Sequence, residues 1–340
     1  MIVAHTVPET DAETVFDGRS SILFATIAGV SLGLMSGGPA GTTAGSRGRV
    51  ARSVALRGLL LIILGLALTA LDTPIAIILD TYGFLFLVAI PLLFAPRWVV
   101  AVVAAAAAFL GPPLVEALTT LIEGATGPAA AALASPWAFL PERWLVGTYP
   151  APVWLAYIAI GILIARADVR ERRTQLALML TGVLAALVVY TTAAAARQPV
   201  LAHDDSTWEV LASGGVAIAV IGAFTWLTES SPERMRRVAP RALWPLQAAG
   251  SMPLTVYSVQ IVLIWVYVEF IDDSTGWLEW QSLPLFFELA LPLLLAASLW
   301  RLRFEQGPLE WLVSRITLQR SWRRGKGPSD WTSPPTHPTG

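Results

Sequence analysis

His5, Asp17, Arg19, Asp80, Tyr257 and Gln260 are the side chains of this 340-residue chain whose types and placement could do chemistry. His5 stands in a short apolar stub, and the others inside or at the edge of a long apolar run. An ionisable group there costs roughly 2.5–3.5 kcal/mol at mid-bilayer, so its presence needs an account. An imidazole near neutral pH can take or give a proton, and a carboxyl group in low dielectric can do the same. The functional reading is an outward-opening polar pocket in which His5 is the base and Asp17 or Asp80 orients it. Arg19 adds a cation at the pocket, although Asp17 and Arg19 can equally pair with each other or cap the next helix. Tyr257 and Gln260 lie three apart, on one helical face, and can bind an acceptor hydroxyl; hydrogen bonding between helices is the equal alternative. Glu116 and Glu288 sit nearer the ends of their runs, where water reaches them. His203, beside Asp204 and Asp205, has the donors of a divalent-cation site, but a solvated loop accounts for it more simply, and no metal is expected.

Other chemistries are excluded. The chain has no cysteine, which removes disulfides, thiolate nucleophiles and thiolate metal sites. It has no Walker loop, no dinucleotide fingerprint after a strand, no G-x-S-x-G and no pair of histidines at metal spacing.

The elements that must position these groups are transmembrane helices. With 55% hydrophobic residues, only 14% charged and a mean hydropathy of +0.62, the composition lies outside that of soluble domains. A hydrocarbon core of about 30 Å takes about 20 apolar helical residues. Runs of that order occur at 20–36, 54–71, 75–95, 98–118, 150–166, 174–196, 208–228, 243–268 and 283–300. The expected fold is an all-α polytopic transmembrane helix bundle, with nine full spans plus a truncated first helix. Residues 1–317 form one membrane domain, and the polar, Pro-rich 318–340 a disordered cytoplasmic tail. The longest connection, 119–149, is either a cap over the bundle or a mobile link.

Charge sets the orientation. All but Arg19, Arg143 and Arg197 of the 23 Lys and Arg residues fall in alternate gaps between the runs, and the other gaps are acidic. Cytoplasmic loops retain Lys and Arg, so the basic gaps and the C-terminus are expected in the cytoplasm and residues 8–19 outside a cell membrane. Lipid is the expected partner and nucleic acid is not. The Arg bias with abundant Ala points to a bacterial, GC-rich genome. The stub Met1–Val7 is apolar but too short to span and lacks a basic n-region, so it is no signal peptide. It has the look of the outer end of a helix that starts upstream, in a protein of ten spans with both termini inside.

Four segments in chain order carry a resemblance. They are Met1–His5 with Phe16–Phe24 and Ala28–Gly33; Gly147–Tyr157 with Gly161 and Arg166; Gly250–Gln260; and Gln306–Trp311. Together they resemble bacterial membrane proteins related to heparan-α-glucosaminide N-acetyltransferase, within a broader group of transmembrane acyltransferases with many uncharacterised members. The resemblance implies transfer of an acyl group from a cytoplasmic acyl-CoA to an extracytoplasmic envelope sugar or lipid, with histidine chemistry near the first two helices. It implies acyl-CoA as a donor substrate, with no bound cofactor, and makes Arg47, Arg49 and Arg52 the cations best placed to attract its phosphates. The sequence departs from the pattern in having no histidine between His5 and Ser20; His5 stands where the acetyltransferase has Asn and where the wider group often has His. A transporter or lipid exporter, or a non-catalytic membrane scaffold, is the alternative.

Overall fold

The computed structural model describes residues 2–8, 18–198, 200–272 and 280–317, and among them every regular element is a helix. In chain order these are α1 (Ile2–Thr6), α2 (Arg19–Met35), α3 (Arg47–Thr69), α4 (Leu79–Ala89), α5 (Arg97–Glu123), α6 (Gly127–Leu133), α7 (Phe139–Val146) and α8 (Ala151–Arg166). There follow α9 (Arg172–Ala195), α10 (Thr207–Thr225), α11 (Glu233–Ala242), α12 (Trp244–Gly250), α13 (Pro253–Phe270), α14 (Leu283–Arg303) and α15 (Pro308–Ile316).

Each of the nine expected spans corresponds to a helix, but not all are full crossings. Six helical stretches are long and apolar enough to cross a membrane: Ala44–Thr69, Arg97–Glu123, Arg172–Ala195, Thr207–Ser230, Pro253–Phe270 and Leu283–Arg303. A seventh is formed if α7 and α8, bent by 61°, count as one span. Local chemistry explains the shortfall. Helix α4 ends where Pro91 opens a 3-10 turn, and it does not start before Leu79. Helix α2 stops at Gly37 and Gly38, both at positive φ, followed by Pro39. The expected span 243–268 is broken at Ser251 and Met252, because the residue before Pro253 is pushed out of helical geometry. Helix α5, by contrast, runs through Pro112 and Pro113 to Glu123. Large apolar side chains on these helices, among them Ile63, Leu110, Leu180 and Leu295, are exposed as lipid-facing positions require. The tail, 318–340, lies outside the described residues.

The described residues divide into two compact units, one within 18–70 and 76–225, the other within 2–8, 71–75, 226–272 and 280–317. In the first, α8 is the buried centre, packed by α2, α5 and α4, while α3 lies on α4 and α9 on α10. Helices α2 and α8 approach closely. A Cβ at Gly29 would strike the Ile158 backbone and one at Gly161 the Thr26 carbonyl, so the two backbones meet through glycine notches, as membrane helices with little hydrophobic drive tend to. At 1.5 Å rise per residue, the ends of α3 stand about 33 Å apart. Arg47 marks one end, and Arg97 and Arg166 gather there too. Thr69 marks the other, with Asp80 and Arg143.

In the second unit, α14 packs on α1, α12 and α13. Ile264, Trp280, Leu285 and Leu289 form its core, flanked by Ile75, Tyr267 and Val268. Ser282 caps α14 through its side chain and donates its backbone N–H to the Thr6 carbonyl at 2.9 Å, which fixes α1.

Candidate functional site

Among the described residues Asp80 is the most completely buried charge of the first unit, at 0% exposure, in the first turn of α4 where a helix terminus favours an anion. Its partner is Arg143 of α7. The guanidinium donates from Nε to Oδ2 at 2.6 Å and from Nη2 to Oδ1 at 3.1 Å, a bidentate pair, and Nη2 also donates to the Ile77 carbonyl at 2.8 Å. The Trp144 indole adds a third donor to Oδ2 at 3.2 Å and stacks on Phe84, with centroids 4.6 Å apart. So the 119–149 connection holds α6 and α7, and Arg143 and Trp144 together clasp α7 to α4. Arg143 was legible only as an exception: an arginine on the acidic side of an otherwise regular alternation.

Beside this pair lies a cavity of about 270 Å³, lined by Ile77, Thr81, Glu142, Arg143, Thr148 and Tyr149 among others. Nε and Nη2 of Arg143 are engaged, while Nη1 has no hydrogen-bond partner among the described residues. Tyr149 joins the cavity to an aromatic group. Its ring meets Trp154 edge-on at 5.1 Å and His203 edge-on at 5.5 Å, and His203 lies parallel to Trp154 at 6.5 Å. Trp154 donates Nε1–H to Asp205 Oδ1 at 3.0 Å.

Glu209, 2% exposed, organises the loop before α10. Its carboxylate accepts the backbone N–H groups of His203 at 2.7 Å and Asp205 at 2.9 Å, which holds both in the left-handed region at φ 60° and 51°. Burial pushes the Asp205 carboxyl up to about 7, and the Asp204 charge adds to this while the Trp154 N–H works against it. An exposed imidazole, a carboxyl group that titrates near neutrality and two aromatic rings therefore share this mouth. Sequence reasoning placed His203 in a solvated loop; the Trp154 and Tyr149 contacts, 50 residues distant in sequence, were beyond its reach. Among the described residues no group of three or more His, Asp or Glu is set to hold a metal ion.

The other expected site residues divide between the two units. In the second, His5 Nδ1 lies 2.9 Å from Gln260 Nε2, and Gln281 donates to the His5 carbonyl at 3.1 Å. Tyr257, one turn from Gln260 on α13, is buried on the same face. In the first, Arg19 donates Nε–H to the Tyr190 hydroxyl at 2.9 Å and lies over that ring, tying α2 to α9. Arg47 lines a cavity at the basic end, whereas Arg49 and Arg52 are exposed on α3 and do not line it. Asp17 lies outside the described residues. Glu116 and Glu288 are exposed.

Two of the segments that carry the family resemblance meet in the second unit. Glu310, in Gln306–Trp311, accepts the N–H groups of Leu254 at 2.6 Å and Thr255 at 3.0 Å, together with the Thr255 hydroxyl at 2.5 Å. It thereby caps α13 at the start of the stretch that carries Tyr257 and Gln260.

No curated protein and no solved structure matches the chain. Residues 161–320, just under half of it, match a family described as a protein of unknown function (DUF418), a stretch that runs from the middle of α8 past the Glu310 clasp.

Proposed function

We propose that this helical membrane protein is a membrane-bound acyltransferase that moves an acyl group from a cytoplasmic acyl-CoA to an extracytoplasmic envelope sugar or lipid. The observation that carries this reading is a pair of polar cavities at opposite ends of the same helices. One, at the basic end, is lined by Arg47, Arg97 and Arg166; the other holds Arg143, Glu142 and Tyr149, next to Trp154 and His203. A phosphorylated donor suits the first. A hydroxyl-bearing acceptor suits the second, where aromatic faces take the apolar side of a sugar ring and Arg143 offers Nη1. His5, held by Gln260, is the proton carrier that the family resemblance supplies.

The test is transfer of radiolabelled acetyl groups from acetyl-CoA to envelope glycans and lipids, in membranes that contain the full chain. Wild type should label one acceptor fraction. His5→Ala and Arg143→Lys, at equal protein levels, should reduce that label by about tenfold or more, the usual scale of a lost acid–base or bidentate contact. Absence of any label above membranes without the protein, across acetyl-, malonyl- and succinyl-CoA, sinks the reading.

One feature favours a transporter instead. The α7–α8 bend and the α12–α13 break give two discontinuous helices, which is how many transporters build a substrate site. Uptake into proteoliposomes without acyl-CoA would support that second reading.

A further inference from the structure

We propose that the cavity between the Gly38–Thr42 turn, Arg47, Arg97 and Arg166 is a binding site for a phosphoryl anion. The cavity measures about 260 Å³ and sits where α2, α3, α5 and α8 end or begin. That is just below the roughly 300–1,000 Å³ of pockets that enclose a whole drug-sized ligand, so it suits a phosphoryl-bearing portion of a larger molecule.

Three guanidinium groups converge there, and none of them lies within 4 Å of a carboxylate oxygen among the described residues. Each reaches the cavity in a different way. Arg166, only 8% exposed, is fixed by donating to the Ala95 and Leu92 carbonyls at 2.8 Å each. Arg97 donates one Nη2 hydrogen to the Arg166 carbonyl, which leaves its remaining donors to the cavity. Arg47 makes no hydrogen bond among the described residues; it lies over the Phe94 ring, 5.8 Å from the centroid, with all five donors unused. Three like charges thus stand around one small concavity with no ion-pair partner among the described residues. Helices α3 and α5 both begin at this cavity and neither has an acidic residue in its first turn, so their N-terminal partial charges add to the excess.

The turn completes the wall. Gly37, Gly38 and Gly41 take φ of 99°, 56° and 70°, and nothing stands within 4 Å of where a Gly41 Cβ would be, so bare backbone faces the cavity. Thr42, anchored through its hydroxyl to the Ser36 carbonyl, holds the turn shut on the other side. Planar, always-charged guanidinium forks match the several oxygens of a phosphoryl group better than they match a single carbonyl.

As a donor subsite the cavity rests on the acyl-transfer reading; as an anion site it does not. Two carriers share the chemistry, the nucleotide portion of a coenzyme A thioester and an anionic lipid headgroup. The experiment is equilibrium binding to the full chain in detergent, with coenzyme A, inorganic pyrophosphate, dihexanoyl phosphatidate and pantetheine as probes. The phosphorylated probes should bind saturably and pantetheine, which has the thiol arm without phosphate, should not. Arg47→Gln and Arg97→Gln should each weaken phosphorylated probes by about tenfold, the scale of a lost charge-assisted hydrogen bond. Arg172→Gln, an equal charge change on the same end, should change binding less than about twofold.

Unchanged affinity in the Arg47→Gln/Arg97→Gln double variant, shown to be folded by an unaltered thermal transition, overturns the site. Preference for coenzyme A supports it as a donor subsite. Preference for phosphatidate supports the anion site and removes the donor assignment from the proposed function. Anion binding that depends on Arg47 and Arg97 without any acyl transfer supports the site and counts against the acyltransferase reading alone.

Discussion

The Asp80–Arg143 pair is a local arrangement with an uneven energy balance. Asp80 is wholly buried and Arg143 is a quarter exposed, so the guanidinium keeps part of its hydration and the carboxylate keeps none. Removing the arginine leaves an uncompensated buried charge, which typically costs about 3–5 kcal/mol, whereas replacing both partners by apolar groups of similar volume is often close to neutral. Arg143→Ala should therefore lower the thermal transition in detergent sharply, and Asp80→Leu/Arg143→Met should recover most of the loss. A transition for Arg143→Ala within a degree of wild type would mean that the pair does not anchor α7. Asp80 was legible in the sequence because a carboxylate inside an apolar run stands out against its neighbours. Arg143 was less so, since its partner lies 63 residues away and only its place on the acidic side marked it. His203 and Asp205 were visible as residues but not as a site, because their left-handed backbone and their contacts to Trp154 depend on Glu209 and on α8.

At the scale of the element, what decides function is where helices stop. Period and run length reveal an apolar helix well, but a proline's effect depends on what surrounds it. Pro253 ends one helix and starts another, yet Pro112 and Pro113 interrupt nothing in α5. Helix α13 is the sharper case, since it begins where a broken span would leave buried N–H groups without partners. Glu310 supplies the missing acceptor from α15, and Thr255 returns the contact by accepting the Leu309 N–H at 3.1 Å through its hydroxyl oxygen. Hydrogen bonds to a charged group contribute about 1.5–3 kcal/mol, and this carboxylate takes three. Glu310→Ala should destabilise α13 by about 2 kcal/mol or more, seen as faster amide exchange at residues 254–258. Glu310→Gln, which keeps one acceptor oxygen, should fall between the two. Exchange at those amides indistinguishable from wild type in Glu310→Ala would show that water or lipid serves the helix start equally well. The two family-like segments, Gly250–Gln260 and Gln306–Trp311, thus have a structural task in common before any chemical one.

Across the whole molecule, the distribution of charge sets an expectation for which cavity faces which compartment. One exception to the alternation is offset within the protein. Arg143 is neutralised by Asp80, so it does not act as a cation pulling its segment toward the cytoplasm, whereas Arg19, held by the neutral Tyr190 hydroxyl on α9, keeps its charge. The first unit has a basic end, with Arg47, Arg97 and Arg166, and an end where Asp204, Asp205 and Glu209 outnumber Arg197. By the positive-inside rule the three-arginine cavity is expected in the cytoplasm and the Arg143–Tyr149 cavity outside. Because the chain has no cysteine, one engineered thiol at a time reports without background. Thr126→Cys, on the exposed turn before α6, should react with a membrane-impermeant maleimide in intact cells. Thr43→Cys, exposed in the turn before Arg47, should react only after permeabilisation. The reverse pattern would place the arginine cavity outside, where no cytoplasmic acyl-CoA could reach it, and the acyl-transfer reading would fail at its first step while the anion site itself would stand.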